Sequence, residues 1–223
     1  MKPPIMICGC PGSGTSLVTK MLRHAGLFVG CDSGPKEARK YHESQCFKKH
    51  NEQFLSQTIA FPHAPKSAEQ FNAHNQRMSE SLEELIDSVD IDELMNDFWG
   101  TATERKHQNW GWKDPRNSAN ALVWTNLFPE MKAIVISRNV RWRDRRINTG
   151  SDSGRWFRQE STSKLRSLYK KPIGLSPDMI FQIDVDQLTR DAEVFRKTLN
   201  WCGLDEGPAN SFEKYLGKIG FES

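Results

Sequence analysis

The spacing of apolar positions along the chain changes period several times, and each change marks an element. Ile5 and Ile7, with Cys8 beside them, read as a short buried strand, and Leu17, Val18, Met21 and Leu22 then recur at helical spacing. Between the two lies a knot of small residues, so the segment predicts a strand, a glycine-rich loop and a helix over about 15–23 that ends near Gly26. Leu27 to Gly30 predicts a second short strand, followed by a turn-rich connector. From 38 to about 58 the positions Cys46, Phe47, Phe54 and Leu55 share a helical face, behind a polar lead-in that holds His42 and Glu43. After a break at 61–65, one long helix is expected over 67–89 with Ser67 as its N-cap, and another over about 91–98.

Trp110 and Trp112 alternate in a strand that stops at Pro115 and leaves Lys113, Asp114 and Arg116 at its C-terminal edge. A helix over about 118–127 leads to Met131–Ser137, the strongest strand pattern in the chain, which suits a central parallel strand and delivers Arg138 to the same edge. A loop over 148–154, a helix over about 155–169, a strand over 179–183 and a helix over 192–202 closed by Gly203 complete the pattern. Strands alternating with helices predict an α/β fold, a doubly wound parallel sheet with helices on both faces. One domain is expected over 1–223, with a helical excursion over about 38–105.

Composition narrows the function classes. With 26% charged and 37% hydrophobic residues and a net charge of +3, the chain suits a globular protein without a global field for nucleic acid or membranes. Neither a membrane span nor a signal peptide is evident, so the expected compartment is cytoplasmic. Five scattered cysteines do not suit a disulfide framework, and Cys8-x-Cys10 lacks the second pair a structural zinc needs, so reduced, structural thiols are expected. His63, His74 and Asp87 are expected on the solvent-exposed surface. Seven arginines fall between Arg138 and Arg158. Asp144, Asp152 and Glu160 interrupt them and no array of stacking aromatics accompanies them, which argues against a nucleic-acid patch.

The opening loop carries the clearest chemistry. It approaches the phosphate-cradling pattern G-x-x-x-x-G-K-[ST], with Gly9, Gly14 and Ser16 in register, but Thr15 stands in place of the lysine. A strand-to-helix loop aims backbone N–H groups at one point, and the helix dipole adds partial positive charge, so an anion cradle remains. The hydroxyls of Ser13, Thr15 and Ser16 can donate to that anion. Thr15 cannot reach the outer phosphates of a nucleoside triphosphate, and no convincing magnesium-holding acid follows, which weighs against a kinase with a degenerate loop.

Pro11-Gly-Ser-Gly-Thr-Ser-Leu17 resembles the 5′-phosphosulfate loop of the PAPS-dependent sulfotransferases, whose usual form is P-[KR]-S-G-T-[ST]-x. Trp112-Lys-Asp-Pro-Arg116, Phe128-Pro129 and Ile134-Val-Ile-Ser-Arg138 are similar to the family's middle block. Asp184-Val-Asp-Gln-Leu188 with Leu199 to Leu204 is similar to its C-terminal block, and the helices over about 58–105 match least.

The resemblance implies a P-loop-like architecture and transfer of a sulfuryl group from PAPS, leaving PAP, to a hydroxyl or amine of a small-molecule or glycan acceptor, with no metal. It implies that Gly12, Ser13, Gly14, Thr15 and Ser16 hold the 5′-phosphosulfate and Arg138 the 3′-phosphate. Two positions depart from the family pattern. Gly12 replaces the loop lysine or arginine that stabilises the departing oxygen, a loss of charge where charge develops. Arg146 replaces a phosphate-binding serine, a role a guanidinium can fill bidentately, with Thr149, Ser151 or Arg155 beside it. Lys113 is the substitute for the missing loop cation, and Glu43 or His42 the candidate base for the acceptor's proton. A catalytically silent relative that binds a nucleotide or a protein partner is the competing reading.

Overall fold

The computed structural model describes residues 1–30, 43–59, 65, 67–101, 108–138 and 167–218. Its centre is a parallel sheet of four strands, β1 (Ile5–Gly9), β2 (Gly111–Lys113), β3 (Lys132–Ser137) and β4 (Ile180–Asp184), in the order β2-β1-β3-β4. Ile5 is level with Gly111 on one side and Lys132 on the other, and Ala133 with Ile180. The chain runs from β1 out to β2 and returns past β1 to β3, so the strand order reverses at β1. In open α/β sheets that is where ligands bind, beyond the C-terminal strand ends.

Both faces of the sheet are covered, which is why β1 is buried at every position and shows weak alternation in sequence. One face carries Ile5, Ile7, Ile134, Ile136 and Ile183. Against it pack α1 (Thr15–His24) through Val18, Met21 and Leu22, and the later helix Ala192–Trp201 through Phe195 and Leu199. The other face carries Met6, Cys8, Trp112, Ala133 and Val135. It is covered by α2 (Gln45–Ile59), α3 (Ala68–Glu80), α4 (Leu82–Asp87), α5 (Ile91–Trp99) and α6 (Asn117–Leu127). Phe47 of α2 stacks on Trp112 with ring centroids 4.2 Å apart. The C-terminal part adds α7 (Val185–Leu188), α8 (Ala192–Trp201), α9 (Gly207–Asn210) and α10 (Phe212–Lys218). Tyr215 of α10 donates its hydroxyl to the Met21 carbonyl and so fastens that helix to α1.

Three expectations change. Leu27 to Gly30 forms no strand: Phe28 makes a single parallel bridge to Trp110, because Gly26 and Gly30 both turn the chain with positive φ. The helix expected over 67–89 is two, broken at Ser81, whose φ of −111° and ψ of 21° leave helical geometry; Ser67 does cap its start, accepting from the Gln70 N–H at 3.2 Å. His74 is fully buried rather than exposed, held by a hydrogen bond at each ring nitrogen; Asp87 is exposed as expected. The expected loop over 148–154 and most of the helix over 155–169 lie outside the described residues, as does His63.

Candidate functional site

The loop after β1 keeps three features of an anion cradle. Ser13 N–H donates to the Cys10 carbonyl at 2.9 Å, which folds the loop back on itself. Gly14 is the N-cap of α1, and no side chain caps that helix, so its first N–H groups are not claimed by a capping group. The Ser13 hydroxyl is buried without a hydrogen-bond partner. Gly14 has φ of 98°, and a Cβ there would sit 3.0 Å from Val185 Cγ2, so α7 packs directly on the loop. Gly12 is exposed with φ of 80°, a left-handed conformation that a lysine or arginine adopts only under strain. Beneath the loop, burial pushes the Cys8 thiol up to about 12, which leaves it protonated and unreactive.

The end of β2 carries the charge that the loop lacks. Lys113 is 2% exposed, and its ammonium donates to Glu43 Oε1 at 2.8 Å. Glu43 stands two residues before α2, with Ser44 buried behind it. Asp114 is not the partner of Lys113: its two oxygens take Arg116 Nε and Nη2, both at 2.8 Å, and Arg116 Nη1 reaches Glu52 of α2 at 2.6 Å. Burial opposes the Arg116 charge, but Asp114 and Glu52 more than offset it and hold its pKa above the ordinary range. Two carboxylates, Glu43 in the lead-in to α2 and Glu52 on it, therefore meet two cations of the β2 exit.

At the ends of β3 and β4, Arg138 Nε lies 3.2 Å from Asp186 Oδ1. Asp184 caps α7 by accepting from the Asp186 and Gln187 N–H groups. The structure thus brings Gly12, Ser13, Gly14, Thr15, Ser16, Lys113, Glu43 and Arg138 to the C-terminal edge of one sheet. His42 and Arg146 lie outside the described residues. Among the described residues no group of His, Cys, Asp or Glu is arranged to hold a metal, Cys8, Cys46 and Cys202 are free thiols, and no helix is long and apolar enough to cross a membrane.

Sequence reasoning missed Glu52 and the buried amides Asn51, Asn117 and Asn120. A signal for them was present: Trp112 and Trp124 sit on buried faces, and a buried indole N–H needs an acceptor. Those acceptors are Asn117 Oδ1 at 3.1 Å and Asn51 Oδ1 at 2.9 Å.

Compared with known proteins, the chain matches over residues 3–207 a family model described as the sulfotransferase family. No curated protein matches it.

Proposed function

The chain belongs to the sulfotransferase family, and on that premise we propose that it transfers a sulfuryl group from PAPS to a hydroxyl or amine of a small molecule or glycan in the cytoplasm. The observation that carries this reading is the pairing at the sheet edge: an uncapped glycine loop on β1 and, on the neighbouring strand β2, a buried ammonium already engaged with a carboxylate. The donor fits the residues present, because the loop offers N–H groups and an unpartnered Ser13 hydroxyl in place of a lysine.

In the proposed assignment Gly12 to Ser16 hold the 5′-phosphosulfate, and Arg138 with Arg146 holds the 3′-phosphate. The donor supplies the sulfuryl group: the acceptor's oxygen or nitrogen bonds to sulfur, the sulfur–oxygen bond to phosphate breaks, and PAP leaves with the electron pair. Glu43 takes the acceptor's proton, with His42 the other candidate for that task. A carboxylate that gains this proton relaxes its hold on the Lys113 ammonium, whose charge then becomes available to the departing phosphate. One ion pair would thereby serve both the base and the missing loop cation. This chemistry requires no metal.

Calorimetric titration with PAP tests the donor half: saturable binding that Arg138→Ala weakens is expected, and no detectable heat at millimolar PAP overturns the assignment. One observation favours a second reading, a relative that binds without transferring. Gly12 places no side chain where the resembled loop carries a cation. Release of PAP from PAPS in the presence of mixed acceptors separates the two.

A further inference from the structure

Between α2, α3, α6 and β1 runs an unbroken line of buried hydrogen bonds whose direction the neighbouring indoles fix. An indole N–H donates and never accepts. Trp124 donates to Asn51 Oδ1, so the Asn51 amide nitrogen is the atom that donates to Asn117 Oδ1 at 2.8 Å. Trp112 donates to the same Asn117 oxygen, so the Asn117 nitrogen donates to the Ile7 carbonyl at 3.1 Å. On the other side Asn120 donates to Asn51 Oδ1 at 2.8 Å and accepts from His74 Nε2 at 2.9 Å, which leaves His74 Nδ1 to accept from the Thr58 hydroxyl. Asn51, His74, Asn117 and Asn120 are each fully buried.

The line ends where the candidate site begins. The Ile7 carbonyl also accepts the Asp114 N–H at 3.3 Å, the bond at which β2 leaves the sheet, and Ile7 is level with Lys113. The Asn117 amide thus holds the exit that aims Lys113. Asn51 lies on the helix whose lead-in bears Glu43 and directly precedes Glu52, the partner of Arg116. We propose that Asn51 and Asn117 are positioning residues: their hydrogen bond sets α2 against the β2 exit and so sets the Glu43 carboxylate against the Lys113 ammonium. The polar line has a reason to be there, since apolar packing between a helix and a sheet tolerates sliding, whereas a chain of oriented amides satisfied at every atom has one register.

This inference deepens the proposed function only in the use made of the ion pair, and its test needs no nucleotide. The lysine ammonium region of a 1H–15N spectrum of the intact protein is recorded, with the Lys113 signal identified by its loss in Glu43→Gln. In Asn51→Leu the signal is expected to disappear from its wild-type position in the folded protein. Phe195→Ala, a destabilising change on the opposite face of the sheet, should leave it in place, which a merely structural role for Asn51 would not distinguish. If Asn51→Leu does not fold, Trp124→Phe decides, because it removes the indole donor to Asn51 and keeps an aromatic ring there; a displaced signal is expected. A signal unmoved in the deciding variant, or the absence of any wild-type signal that Glu43→Gln removes, overturns the proposal. Failure of PAP to bind the wild-type protein would instead count against the enzymatic reading alone.

Discussion

The two faces of the sheet are built on different principles. Under α1, α8 and α10 the contacts are aliphatic and aromatic, Ile5, Ile7, Val18, Leu22, Ile136, Phe195 and Leu199, with the Tyr215 hydroxyl bond to Met21 at the margin. Under α2, α3 and α6 the core is aromatic and is threaded by four buried side chains, Asn51, His74, Asn117 and Asn120. The first face supplies stability by a force that has no direction. The second gives up apolar area for hydrogen bonds, and it is the face whose helix delivers Glu43 and Glu52 to the β2 exit. Precision is therefore concentrated where two elements distant in sequence must present complementary charges.

The largest expected effect tests the apolar face. Phe195 is fully buried and lies 5.1 Å, centroid to centroid, from Tyr215. Phe195→Ala should cost about 3–5 kcal/mol in urea unfolding, the usual range for deleting a core ring, with PAP affinity of the folded protein unchanged. A large loss of affinity in the folded variant would erase the contrast between the faces.

The polar face should show itself in pH. Burial lowers the His74 pKa from 6.5 to about 4, so between those values the unfolded chain holds a proton that the folded chain does not. Stability then rises with pH across that window and is lost as pH falls through it, by about 3 kcal/mol at the acid end. Unfolding free energies of wild type and His74→Gln between pH 4 and 7 check this, and parallel curves would refute the burial of a neutral imidazole.

The smallest effect concerns the loop between the faces. Gly12→Ala forces a side chain into φ of 80° and should lower stability by about 1 kcal/mol in the same urea assay. No change would mean that the loop relaxes readily and that Gly12 is not held left-handed.

Most of the sheet edge was legible from the residues themselves. β1, its loop and α1 follow from apolar spacing and small residues, and the Trp110–Pro115 alternation located the exit that bears Lys113. The second strand failed because a bridge of one residue and a paired strand share the same short apolar pattern. The surface placement of His74 failed although it is buried with Phe71 and Met78 on α3, because a polar residue there gives no sign in sequence of the distant Asn120 oxygen that satisfies it. The sequence offers Lys113 as the substitute for the loop cation but gives no sign that its ammonium meets Glu43.

By itself the sequence determined the four sheet strands and the main helices between them, the parallel α/β architecture and the glycine cradle, since these rest on periodicity and turn chemistry that act within a few residues. Only the tertiary structure decided which charges meet and what fixes them. Glu43 and Lys113 stand 70 positions apart, and Asn51 and Asn117 stand 66 apart. Contacts at that separation depend on how α2 docks on the sheet, and the buried amides give that docking its register.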